Sequence, residues 1–316
     1  MRIDSTTRVI VTGGAGFLGH EIVDALRRRG VEPMVPRRRD HDLRTWEGVR
    51  ALFEQVKPEL VIHAAWTGGG IGFSREHPGV MARDNVLMAT HVIEACRQFE
   101  VAKFVGIGSI CSYPKFTPVP FRETDLWNGY PEETNAAYGL AKKMMLVLTE
   151  AFRQEFGLNG VHLLMVNLYG PRDNFDLQHG HVIPAMIRKF VSAKAANAKA
   201  VTLWGDGTPT REFVHVADAA EAVTLAAERY DSSEPVNVGS GEEISIRELA
   251  ATIAGHVGFT GELVWDTGNP NGQPRRLLDV SLAKQRFGFA ARIPFREGLG
   301  QTIRWYLEEG RRQWES

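Results

Sequence analysis

Short apolar runs alternate with longer stretches in which apolar residues recur at helical spacing, and this rhythm persists for the first 170 residues. Val9 to Thr12 reads as a strand with a helix starting near Phe17; Glu32 to Val35 precedes a helix at Thr45 to Val56, and Leu60 to Ala64 precedes one at Val80 to Phe99. Lys103 to Gly108, a long loop, a helix from about Asn135 to Phe156 and a strand at Val161 to Asn167 continue the series, with Gly or Pro at the junctions. The runs VIVT, LVIHAA, FVGIG and VHLLMV are apolar throughout, as strands covered on both faces must be. Right-handed crossovers would wind five such strands into a doubly wound parallel sheet of the α/β class, a Rossmann arrangement.

The texture changes after Gly170-Pro171 to a loop, a basic helix at about Ile183 to Lys194 and the alanine-rich segment AKAANAKA. A second, smaller α/β domain is expected over residues 171–213 and 241–316. Residues 1–170 would form the first, with helix Val216 to Glu228 and strand Pro235 to Val238 returning to it across about 214–240. A chain of 316 residues suits two domains of ordinary size.

Composition narrows the partners. Lys plus Arg number 37 against 38 Asp plus Glu, a formal charge of −1, so no global positive field exists to hold nucleic acid or an anionic membrane. The longest stretch without Asp, Glu, Lys or Arg is Phe156 to Pro171, too short and polar to span a bilayer. The N-terminus has no secretory-signal pattern, which points to the cytoplasm. The two cysteines have no metal-ligand spacing. Cys96 sits on an apolar helix face and reads as a buried small hydrophobe, whereas Cys111 lies two residues from Ser109 at a strand end.

TGGAGFLG places Gly13, Gly16 and Gly19 directly after a strand and at the opening of a helix. Glycine permits the tight turn and the close backbone approach, while the helix N-terminus receives a pyrophosphate. Roughly 20 residues on, where an acidic residue would bind a ribose 2′-hydroxyl, the chain reads Pro36-Arg37-Arg38-Arg39-Asp40. Guanidinium groups suit a 2′-phosphate, so NADP(H) is favoured, with Arg37 and Arg39 preferred to Arg38; Asp40 keeps NAD open. Tyr138 and Lys142 stand four apart early in a helix and share a face. A lysine beside a phenol lowers its pKa, so Tyr138 can exchange a proton with a substrate oxygen that Ser109 holds.

These features, with the segments GSICSYPK, NAAYGLAK, NLYGPRDNFD, HVIPAMIRKF, WGDGTPTREFVHVAD, VNVGSGEEISIRELA and PRRLLDVS in order, make the chain resemble the extended short-chain dehydrogenase/reductase family over nearly its whole length. Within that family it is most similar to the branch that epimerises and reduces GDP-4-keto-6-deoxymannose with NADPH. The resemblance implies that Ser109, Tyr138 and Lys142 serve reduction, and that Cys111 as base and His181 as acid serve C3/C5 epimerisation. It sets Phe17, Leu18, Asp42, Leu43, Asn167, Leu168, Lys142 and His181 against the cofactor beside the glycines and arginines. Lys189, Trp204, Arg211, Arg276 and Asp279 would surround the GDP-sugar, and pairing of the helices after the third and fourth strands would make a homodimer through Val86, Met88, Val92, Met144, Leu148 and Phe152. His179 reads as a loop surface residue, and His63, His91 and His162 as satisfied core or interface histidines.

The chain departs from the family pattern where Ile110 replaces a second serine, Ser112 an aliphatic residue, Ala15 an arginine and Lys189 a planar cation. The sugar-facing loop Ala64 to Ser74 reads AAWTGGGIGFS where the family usually has AAKVGG. Two other readings fit the residues: a single-step C4 reductase or C3/C5 epimerase on a related GDP-4-keto hexose or heptose, and a non-catalytic NADP-binding regulator. The presence of both Tyr138 and Lys142 opposes the latter.

Overall fold

The computed structural model describes residues 1–177, 180–268 and 271–314; His179 lies outside them. The elements run β1 (Val9–Thr12), α1 (Phe17–Arg27), α2 (Trp46–Val56), β2 (Leu60–His63), α3 (Ile71–Glu76), α4 (Pro78–Gln98), β3 (Lys103–Ser109), α5 (Ala136–Phe156), β4 (Gly160–Met165) and β5 (Asn167–Tyr169). They continue as α6 (Val182–Ala195), β6 (Ala200–Trp204), β7 (Thr210–His215), α7 (Val216–Arg229), β8 (Val236–Val238), β9 (Glu243–Ser245), α8 (Ile246–Val257), β10 (Glu262–Asp266), α9 (Ser281–Phe287) and α10 (Phe295–Trp305).

Strands β1, β2, β3, β4 and β8 form one parallel sheet in that order. Because successive side chains point to opposite faces, Val9, Val11 and Ile62 join one hydrophobic cluster with α1 and α7, while Ile10 and Val61 join another with α2, α4 and α5. Both faces are therefore covered, as the continuous apolar runs require. A third cluster gathers α6, α8 and α10 with Tyr169 of β5, Phe213 of β7 and Leu203 of β6.

Two strands differ from expectation. The Glu32 to Val35 run contributes only one bridge beside β1: the Met34 N–H donates to Val9 O at 2.8 Å, and Met34 O accepts from the Val11 N–H at 2.9 Å. Pro33 has no N–H and Pro36 cannot extend the ladder, so the pairing stops on either side. The strand expected at Val161 to Asn167 ends at Met165, and the chain resumes as β5 beside β7 in a separate sheet.

The faces assigned to a dimer contact also need correction. Met88 and Val92 are buried within the chain, and Leu148 and Phe152 pack against the same cluster, because α4 and α5 turn those sides toward the sheet. On α5 Leu140, Met144 and Val147 are exposed and form one helical stripe, with Phe156 exposed at the helix end.

Candidate active site

At the carboxyl end of β1 the chain turns through Gly13, at φ +69°, into α1, whose N-terminus carries no side-chain cap. A Cβ on Gly19 would lie 2.0 Å from the Gly13 carbonyl oxygen, and one on Gly13 would lie 2.7 Å from the Ala65 backbone. These glycines hold loop and helix together with the first N–H groups of α1 free of side-chain caps, a cradle that fits a dinucleotide pyrophosphate. Phe17 and Leu18, half-buried, open that helix. Arg37 and Arg39, both exposed, line a concavity after the Met34 bridge, a placement suited to a phosphate. Asp42 is taken up by Arg44, whose bidentate contact holds the carboxyl down at about 2, and the Leu43 side chain belongs to the core.

The carboxyl end of β3 supplies the reactive side chains. Ser109 ends the strand and caps the single turn Ile110–Ser112, its Oγ accepting from the Cys111 N–H at 3.2 Å. That turn packs against α5 so closely that a Cβ on Gly139 would lie 2.3 Å from the Cys111 carbonyl oxygen. Tyr138 is thereby brought to the turn. Against the lowering expected from Lys142, burial and the nearby Cys111 push its phenol above the usual range, and the Ser109 side chain acts in the opposite direction. Lys142 lies one helical turn on, its Nζ 5.7 Å from the centre of the Tyr138 ring, and burial lowers it to about 8.

Cys96 is fully buried, as read from its helix face, and burial raises its thiol well above the usual value. His63 is buried and bonded to Thr12 Oγ1 at 2.8 Å, and His91 contacts Leu43 O at 3.3 Å. His162 departs from the satisfied histidine expected of it. It is wholly buried beside Gly108, both ring nitrogens lack a hydrogen-bond partner, and burial with the Lys142 charge lowers it to about 3, so it is neutral.

A family model described as the NAD dependent epimerase/dehydratase family matches residues 9–239, the span that carries the glycine cradle and the Ser109, Tyr138 and Lys142 cluster. The chain belongs to this family. Among curated members it is 39% identical over 306 residues to GDP-L-fucose synthase 1 of Arabidopsis thaliana, covering 96% of this chain and 94% of that protein. Among solved structures it superposes with a TM-score of 0.89 and 26% identity on a GDP-6-OMe-4-keto-L-xylo-heptose reductase from C. jejuni, covering 97% and 99% of the two chains. A GDP-L-fucose synthetase from Naegleria fowleri bound to NADP gives a TM-score of 0.88 at 27% identity, covering 98% and 97%. The resemblance read from the sequence motifs is to the same group of epimerase/dehydratase relatives.

The remaining expected residues of this epimerase/dehydratase chain are less concentrated. His181 is the N-terminal cap residue of α6, and its Nδ1 lies 3.8 Å from Oδ1 of the buried Asp173, which raises the imidazole above its usual pKa. Its partner among the described residues is Asp173. Asn167 donates from Nδ2 to Glu212 O at 2.9 Å, and Leu168 packs on the sheet core. Arg276 reaches back to donate from Nη2 to Ile110 O at 3.2 Å, beside Cys111, while its buried Nε has no partner. Arg211 is lowered to about 10 by burial and by the Arg276 charge, so two cations share this corner. Lys189 donates to Thr202 O, Trp204 is 72% exposed at the end of β6, and Asp279 accepts from the Ser281 N–H at 3.0 Å and faces Arg122.

Trp66 is the residue that reading for chemistry passed over. Its indole lies 5.2 Å from the Tyr138 ring, tilted by 52°. The only signal was the departure of its loop from the family pattern.

Proposed function

We propose that this chain is an NADP(H)-dependent epimerase/reductase acting on a GDP-4-keto-6-deoxy sugar. The observation that carries the reading is the convergence of Ser109, Cys111 and Tyr138 at one strand end, over Lys142 and beside a glycine cradle. The sheet layer of residues 1–170 and about 214–240 would hold the cofactor, and residues 171–213 and 241–316 the GDP-sugar. The C. jejuni neighbour is a GDP-6-OMe-4-keto-L-xylo-heptose reductase and the N. fowleri neighbour is NADP-bound, which supports this assignment of ligands.

A C4 ketone acidifies the protons on C3 and C5. Cys111 removes one, and Ser109 and Tyr138 hold the C4 oxygen as negative charge grows there. His181, whose protonated form Asp173 favours, returns a proton to the opposite face and inverts the centre. NADPH, when bound, supplies the hydride that C4 accepts. Tyr138 gives its phenolic proton to the C4 oxygen, and a phenol held above its usual pKa is suited to arrive protonated. Arg211 and Arg276, two cations sharing one corner, neutralise a diphosphate. The test is incubation of GDP-4-keto-6-deoxymannose with the protein in deuterated water, with and without NADPH, read by mass spectrometry. Label at C3 and C5 without NADPH and a reduced product with it support the reading; neither label nor reduction rejects it.

A single-step C4 reductase is the second reading. It is favoured by the likeness to a C. jejuni GDP-6-OMe-4-keto-L-xylo-heptose reductase. Reduction without label distinguishes it.

Replacing Arg37 and Arg39 together by serine removes two guanidinium groups from the concavity proposed for the 2′-phosphate. The KM for NADPH should rise by roughly ten- to a hundredfold while that for NADH changes little. Equal changes for both cofactors would move the 2′-phosphate elsewhere. The exposed stripe of Leu140, Met144 and Val147 is the face on which we place homodimer contact, and sedimentation should give the mass of two chains, reduced to one by Met144→Glu.

A further inference from the structure

The loop that follows β2 is anchored at Ala65 and Thr67, on either side of Trp66. Thr12 Oγ1 accepts from the Ala65 N–H at 3.3 Å, and the Ala65 backbone fills the space a side chain on Gly13 would need. The buried Asn85 of α4 then grips Thr67 from both sides: its Oδ1 accepts from the Thr67 N–H at 3.0 Å, and its Nδ2 donates to Thr67 O at 2.8 Å. A second Nδ2 bond, to Met81 O at 2.7 Å, fixes that amide in turn. Between these anchors Trp66 folds over Gly68, where a Cβ would lie 2.0 Å from the indole Cζ3, so a side chain there would displace the ring. The indole is thus set against Tyr138 at 5.2 Å yet remains 40% exposed.

We infer that Trp66 is the platform for the sugar ring and that it makes the site prefer a GDP-sugar whose C6 is a methyl group over one with a C6 hydroxyl. The inference rests on the GDP-4-keto-sugar reading above. A C4 oxygen held by Ser109 and Tyr138 has its flanking ring carbons within reach of an indole packed on that same phenol. Indole offers one N–H donor and otherwise an apolar π-face, so it favours C–H groups and leaves a hydroxyl pressed against it without its water partners.

The test is calorimetric binding of GDP-6-deoxymannose and GDP-mannose, which differ only in the C6 oxygen, to the NADP-loaded wild type, Trp66→Ala and Trp66→Gln. The wild type should bind the 6-deoxy sugar roughly three- to tenfold more tightly. Both variants should lose that preference while retaining their NADPH affinity, and the glutamine variant, which keeps a long side chain over Gly68, serves should the alanine variant fail to fold. A wild type without preference, or a preference that survives in a folded variant, overturns the role of Trp66 alone. A wild type that binds NADPH but neither GDP-sugar overturns the substrate reading and this inference with it.

Discussion

Tyr138→Phe should lower C4 reduction by about 10²- to 10⁴-fold, the range of a lost general acid, while deuterium exchange into the sugar falls much less. Phenylalanine keeps the ring that packs on Trp66 and lies beneath Lys142, so the local structure survives and the proton is what disappears. Burial and the adjacent Cys111 hold that phenol above its usual pKa, so in the wild type it stays protonated across neutral pH and can donate. The phenolate left behind needs a nearby cation. Burial lowers Lys142 from 10.5 to about 8, so the charge is present below that pH and is lost as pH rises through it; wild-type reduction should decline over the same interval. Single-turnover oxidation of NADPH measures both effects. Full reduction by the Phe variant would remove Tyr138 from the proton-donor role.

Cys111→Ser carries the second large effect: solvent deuterium at C3 and C5 should fall by about 10²-fold or more, with reduction of an already epimerised keto sugar largely retained. A serine hydroxyl is a far weaker acid than a thiol, so the anionic base is no longer accessible, although the side chain is nearly isosteric. The position is suited to the task because Cys111 is half-buried at the turn beside Ser109, unlike Cys96, which is sealed in the core. Exchange is followed by mass spectrometry without NADPH. Undiminished label would transfer the base to another residue and leave Cys111 as packing.

Legibility along the chain depended on how local the cause was. The strands VIVT and LVIH, the helix from Phe17 and the Thr45-capped helix are encoded in neighbouring residues, and each formed within a residue or two of its expected bounds. The Glu32 to Val35 run misled because its apolar pattern was outweighed by two prolines that cannot join a ladder. The helical stripe on α5 was visible as a period, but which side turned outward depended on where the sheet lay.

The amino-acid order by itself determined the alternating β and α elements, the glycine turn, the Tyr138–Lys142 spacing and the family resemblance, since each is written in residues that are adjacent or one helical turn apart. The tertiary structure alone decided that Arg276 reaches a carbonyl 166 residues away beside Cys111, that His181 pairs with Asp173, that His162 is buried without a partner, and that Trp66 lies against Tyr138. Such contacts join segments that no short period relates, and they exist only because packing both faces of one sheet brings its strand ends and their loops to a common edge.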